Sequence, residues 1–181
     1  SGIFSAVAVT ATGNGGAVDI TANEIHVADR AEVAASTAGS GDAGSIALVG
    51  AARVLVGGEG QVNASTSGAG RGGSIRLEAP RVEALNGARI GSSALGAGAG
   101  GDITIVAPEA FVATGTNGAG DPAQNRGSRI TAASFFTATG DAGTIDVQAG
   151  RVELADGARL SSSTSGVGAG GSVRIVATDT V

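Results

Sequence analysis

The chain has 181 residues, a net charge of −5 at pH 7, no cysteine and no lysine. Disulfides, thiolate chemistry and cysteine-based zinc sites are thereby excluded. The acidic balance, with no basic stripe along the sequence and no aromatics interleaved among basic residues, argues against nucleic acid and against attraction to anionic membranes.

Glycine supplies 33 residues, and there is neither tryptophan nor tyrosine. A compact globule of this size needs larger side chains to bury enough area, whereas an elongated fold that stacks small and β-branched residues does not. No apolar run reaches transmembrane length. The start, Ser1 to Thr12, lacks a basic n-region and matches the internal repeat, so it is not read as a signal peptide. There is no methionine. The expectation is one interior segment, residues 1–181, of a longer solenoid.

In chain order, a glycine-rich turn followed by an alternating apolar pair recurs at Val18, Ile46, Ile75, Ile103, Ile145 and Val173, with spacings of 28, 29, 28, 42 and 28. A second alternating segment follows seven or eight residues later, centred on Ile25/Val27, Val54/Val56, Val82/Ala84, Ala110/Val112 and Val152/Leu154. A third begins at Val33, Val62, Ile90, Ile130 and Leu160 and runs into Ser, Thr and Ala. Period-two alternation of β-branched residues marks strands with one buried face. Three strands per repeat of about 28 residues suit one triangular coil of an all-β, right-handed parallel β-helix (β-solenoid). About five and a half coils are expected, each pairing edge-on with the next. The Ser/Thr runs are expected to hydrogen-bond between coils and at the turns.

Aligned coils turn positions into columns. The residue before the second segment reads Glu24, Arg53, Arg81, Glu109, Arg151, Asp179, an expected exposed ladder of ion pairs that helps to fix register. A second column reads Arg89, Arg129, Arg159. Three like charges in consecutive coils repel. The column either binds an anion or acidic polysaccharide, or is solvated, with guanidiniums stacking or reaching acids such as Asp156. The single histidine, His26, alternates with Ile25 and Val27 and is expected to face outward.

The fourth coil is irregular. Residues 114–128 read TGTNGAGDPAQNRGS, an expected surface-loop insertion, and two further residues enter before Ile145. A loop on a rigid scaffold often carries recognition. Phe111 is placed outward, at the position of Glu83 and Glu153. It forms a contact patch with loop residues such as Asn117, Asp121 and Arg126, or it packs beneath the loop.

No catalytic, cofactor or metal residue is assigned, and the chain is not expected to be an enzyme. Glycoside hydrolysis needs two carboxyl groups facing one bond, and no aligned column puts carboxylates in consecutive coils. GAGGDITI (98–105) is only locally like a calcium-binding nonapeptide repeat, because Ser or Thr replaces Asp102 in neighbouring coils. Strings such as GAGAGG precede strands rather than helices, so they are not dinucleotide loops.

The runs GARLSSSTSGVGAGGSVRIVA (157–177), NGARIGSSALGAGAGGDITIVA (86–107) and GQVNASTSGAGRGGSIRLEA (60–79) resemble repeats of filamentous-haemagglutinin-like exoproteins exported by two-partner secretion. The resemblance covers nearly the whole chain apart from 114–128. It implies a right-handed β-helix, secretion to the cell surface through an outer-membrane β-barrel transporter partner, and adhesion, aggregation or biofilm roles toward host or surface glycans and proteins. It carries over no catalytic residue. The Asn-Pro-Asn-Gly motif of the family's secretion domain is not in this sequence. Two other readings stay open: a filament subunit that self-associates end to end or laterally, and a polysaccharide-binding or -cleaving β-helix.

Overall fold

The computed structural model describes residues 1–115, 127–135 and 138–181. It is all-β: the described residues form strands, bridges and turns, without a helix. One wall of the solenoid carries long strands, β2 (Val18–Val27), β4 (Ile46–Gly57), β9 (Ile103–Thr114), β11 (Thr144–Ala155) and β13 (Ser172–Thr180). In the third coil, the long strand is split at Pro80 into β6 (Ile75–Glu78) and β7 (Arg81–Leu85). The second wall carries short strands, β1 (Gly2–Phe4), β3 (Glu32–Ala34), β5 (Gln61–Asn63), β8 (Arg89–Gly91), β10 (Arg129–Thr131) and β12 (Arg159–Ser161). The short strands lie in the order β1-β3-β5-β8-β10-β12, and the long ones in the order β13-β11-β9-β6-β4-β2 with β7 beside β4 and β9. Every pairing is parallel. A third row of single bridges joins Val7, Thr37, Thr66, Ala94, Ser134 and Thr164.

The expected columns are present. Val18, Ile46, Ile75, Ile103, Ile145 and Val173 pair coil on coil in one unbroken register. Ile20, Leu48, Leu77, Ile105, Val147 and Ile175 do the same two residues on. The short wall contributes Val33, Val62, Ile90, Ile130 and Leu160. In the middle coils these side chains are fully buried, and each contributes about 1.5–3 kcal/mol of transfer free energy. One coil alone exposes its inner face; the stack covers it.

The first and second segments, expected as separate strands, are mostly one bent strand. The bend shows as a register shift between Ala22 and Glu24, and again between Ala149 and Arg151. The long strand then turns into the short wall through two residues at positive φ: Asp29-Arg30, Gly58-Glu59, Asn86-Gly87 and Asp156-Gly157. Each turn closes with a bond from the fourth residue's N–H to the first residue's carbonyl, as in Ala31 N–H to Ala28 O at 2.9 Å. Two successive left-handed residues with that bond make a type I′ turn. In the fourth coil the insertion falls at this point of the sequence, and its residues 116–126 lie outside the described ones. Thr114 is still in β9, paired with Ala155, and Arg129 is again in register with Arg159. The Ser128 hydroxyl donates to the Thr114 carbonyl at 2.6 Å and ties the loop's roots together.

The glycine-rich turns are demanded by close packing. A Cβ built on Gly73 would overlap the carbonyl oxygen of Gly44, one on Gly101 that of Gly73, and one on Gly143 that of Gly101. Backbone lies directly on backbone at this corner, so no side chain fits. Gly73→Ala is expected to lower stability by about 3 kcal/mol through overpacking, measurable as an earlier urea midpoint.

Serine and threonine bridge the coils as expected. Ser92 Oγ donates to the Gly73 carbonyl, and Ser162 Oγ donates to that of Gly143. The Ser93 N–H donates to Ser65 Oγ at 3.0 Å. Thr37 Oγ1 and Thr66 Oγ1 each accept the N–H two residues on, from Gly39 and Gly68 at 3.2 Å. At the glycine-rich corner, Asn14, Asp42 and Asp141 accept backbone N–H groups of the coil above, from Asp42, Arg71 and Ala169.

Candidate functional site

Phe111 is a correction to the sequence reading. It pairs with Val82 and Val152, is 0% exposed and belongs to the hydrophobic core. It is neither a surface contact nor packed beneath a loop from outside. The fourth coil, like the second, has one more residue between its first and second segments than the other coils: Ile103 to Phe111 and Ile46 to Val54 are eight steps, whereas Val18 to Ile25, Ile75 to Val82 and Ile145 to Val152 are seven. The shift inverts every later side chain of that strand. Val112, not Phe111, occupies the column of Glu83 and Glu153.

The register also corrects the charged column. Its members are Glu24, Arg53, Arg81, Ala110, Arg151 and Thr180, so Glu109 and Asp179 are not in it. Arg53 and Arg81 are direct neighbours of like charge. Glu83 compensates them: only 6% exposed, its carboxylate accepts from Arg81 Nε at 2.7 Å and from Arg53 Nε at 2.5 Å. Removing this carboxylate in Glu83→Ala leaves two adjacent guanidiniums without a counter-charge. The expected loss is about 1–3 kcal/mol of unfolding free energy, with a smaller loss for Glu83→Gln, read from urea denaturation.

Several other surface charges are paired too. Arg30 meets Glu59 at 2.8 Å, Arg151 meets Glu153 at 3.1 Å, and Arg174 meets Asp146 at 3.5 Å. Arg76 holds Glu78 on its own strand. His26 faces outward, as expected, and lies 3.1 Å from Glu24. The Asp102 carboxylate accepts the Thr144 N–H at 2.8 Å. Among the described residues, no group of three His, Asp or Glu side chains is arranged to hold a metal ion.

The Arg89–Arg129–Arg159 column is present as read. Arg129 is in direct register with both of the others, and all three are exposed on the short-strand wall. Among the described residues no carboxylate, Asp156 included, lies within ion-pair distance of any of them. Beside Arg89 the wall is indented by a groove of about 310 Å³, bordered by Asn63, Gly91, Leu95, Thr131 and Phe135. The sequence reading found the column but missed the groove. The remaining candidate residues, Asn117, Asp121 and Arg126, and also Phe136, lie outside the described residues.

Comparison of the chain with protein-family models, with curated proteins and with solved structures finds no match. The fold is a β-solenoid on its own geometry.

Proposed function

We propose that this chain is a stretch of the structural shaft of a secreted bacterial surface adhesin of filamentous-haemagglutinin type, which supports adhesion, aggregation or biofilm formation. The observation that carries the reading is the unbroken register of aliphatic columns from Val18 to Val173. Such a stack makes a rod whose length grows by about 4.8 Å per coil and whose coils fold on their neighbours. Rods of this kind hold a contact away from the surface that bears them. The resemblance of the repeats supplies the adhesin part of the reading, with export through an outer-membrane barrel partner. Folding coil by coil suits a chain that emerges progressively from a pore, and without cysteine it needs no disulfide catalyst.

The reading includes no catalysis. The most buried carboxylate on the wall, that of Glu83, is engaged by two guanidiniums, and hydrolysis of a glycosidic bond needs a facing pair of free ones.

The test uses the producing cell and the full-length gene product. Antibody raised against this segment is expected to label intact cells, and deleting the gene is expected to lower attachment and aggregation. Labelling only after lysis, or unchanged attachment in the deletion strain, overturns the proposal.

A further inference from the structure

We propose that the outer face of the short-strand wall is a binding site for a linear acidic polysaccharide, with uronate carboxylates on Arg89, Arg129 and Arg159 and one sugar ring seated in the groove over Gly91. This goes beyond the shaft reading and does not depend on it.

The first observation is electrostatic. Like charges directly opposite across paired strands are destabilising, and at about 4.8 Å between strands three arginines stand in register on consecutive strands. Elsewhere the chain answers crowded arginines with carboxylates, as Glu83 does for Arg53 and Arg81. Among the described residues the Arg89 column has no such carboxylate, although the whole chain is acidic. A positive line on an acidic protein attracts an anion that the remaining surface repels.

The second observation is steric and independent of charge. Gly91 stands in register between Asn63 and Thr131, so the row loses one side chain. The fold does not require that loss. Gly91 has no positive φ, and a Cβ there would meet nothing nearer than Ser65 Oγ at 3.8 Å. This is unlike the corner glycines, where a Cβ overlaps backbone. The missing side chain opens the groove, which Arg89 borders together with Leu95, half-exposed, and Phe135.

The lining suits a uronate sugar. A guanidinium holds a carboxylate bidentately. Asn63 spends its Oδ1 on the Ser65 N–H at 3.0 Å, and its amide NH₂ remains to donate to a hydroxyl. Thr131 adds a hydroxyl, and Leu95 and Phe135 supply apolar surface for a ring face. A cavity with apolar walls and a few convergent polar groups is the usual form of a small-ligand subsite. A linked uronate chain lying along the solenoid axis runs parallel to the arginine column, whose members stand about 4.8 Å apart, so carboxylates on the side of the chain that faces the wall meet the column. Nucleic acid fits less well, because a chain of net charge −5 repels a denser polyanion.

The experiment titrates oligogalacturonate of about ten residues onto the 181-residue chain by calorimetry. The comparison ligands are neutral dextran, free galacturonate, inorganic sulfate and oligothymidylate. Binding of oligogalacturonate alone is expected, weakening as salt is raised. Arg129→Gln is expected to weaken it about tenfold or more, the loss of one charge-assisted pair. Gly91→Val fills the groove without altering charge and is expected to weaken it comparably while leaving the melting temperature unreduced. Arg174→Gln, on the other wall, is expected to change nothing. Absence of oligogalacturonate binding overturns the proposal. So does equal binding of oligothymidylate, free galacturonate or sulfate, or an equal loss in Arg174→Gln. None of these outcomes bears on secretion or on attachment, so the shaft reading stands or falls separately.

Discussion

Phe111→Ala lowers the unfolding free energy by about 3–5 kcal/mol, the cost of emptying a large aromatic site in a packed core. Phe111 is the largest fully buried side chain among the described residues and is stacked between Val82 and Val152. The coils above and below are fixed by their own backbone pairing, so they have little freedom to collapse into the space. A surface phenylalanine at the same position would cost no more than about 0.5 kcal/mol. Urea denaturation followed by far-ultraviolet circular dichroism separates the two values. Because a solenoid unfolds through nearest-neighbour units, the loss is expected as a lower midpoint for the coils around Phe111, accompanied by a broader transition.

The second large effect concerns phase. Gly57 and Leu85 are register partners on adjacent coils. Deleting residues 57–84 therefore joins Val56 to Leu85 and removes one coil without changing the phase of the rest. That variant is expected to keep its β spectrum and a cooperative melt, a few degrees lower. Deleting residues 57–70 instead removes β5 and the bridge residue Thr66 while leaving both neighbouring long strands. Strands β3 and β8 lose the strand between them, and the chain lacks the length to round the short-wall corner. A parallel pair needs a full crossover between its strands. This shorter deletion is expected to be insoluble or to show no cooperative transition. A half-coil deletion that melts like the in-phase one would refute the stacked-coil assignment.

Much of this architecture was legible in the residues. Val18, Ile46, Ile75, Ile103, Ile145 and Val173 announce the repeat, because an inner column admits only apolar side chains and the period survives every surface change. The Arg89 column was legible for a related reason: it sits one residue before Ile90, Ile130 and Leu160, whose inward parity is unambiguous. Phe111 was not. Ala110, Phe111 and Val112 are all apolar, so alternation carries no parity signal there, and the extra residue near Pro108 went unseen. The bend joining the first two segments has no consistent residue type. The type I′ turns could have been found at Asn86-Gly87 and Asp156-Gly157, which carry their sequence signature. Asp29-Arg30 and Gly58-Glu59 conceal it. Gly91 was hidden among 33 glycines: composition does not distinguish a glycine forced by backbone contact from one that leaves a space.

The corner glycines have a consequence for how such a chain grows. Where Gly73 rests on Gly44 and Gly101 rests on Gly73, successive layers meet through main-chain atoms that every residue type shares. At that corner a layer does not discriminate among the layers it sits on. Unequal recombination within the gene can then insert or remove whole layers without disturbing that corner, altering reach and the spacing of surface features in fixed steps.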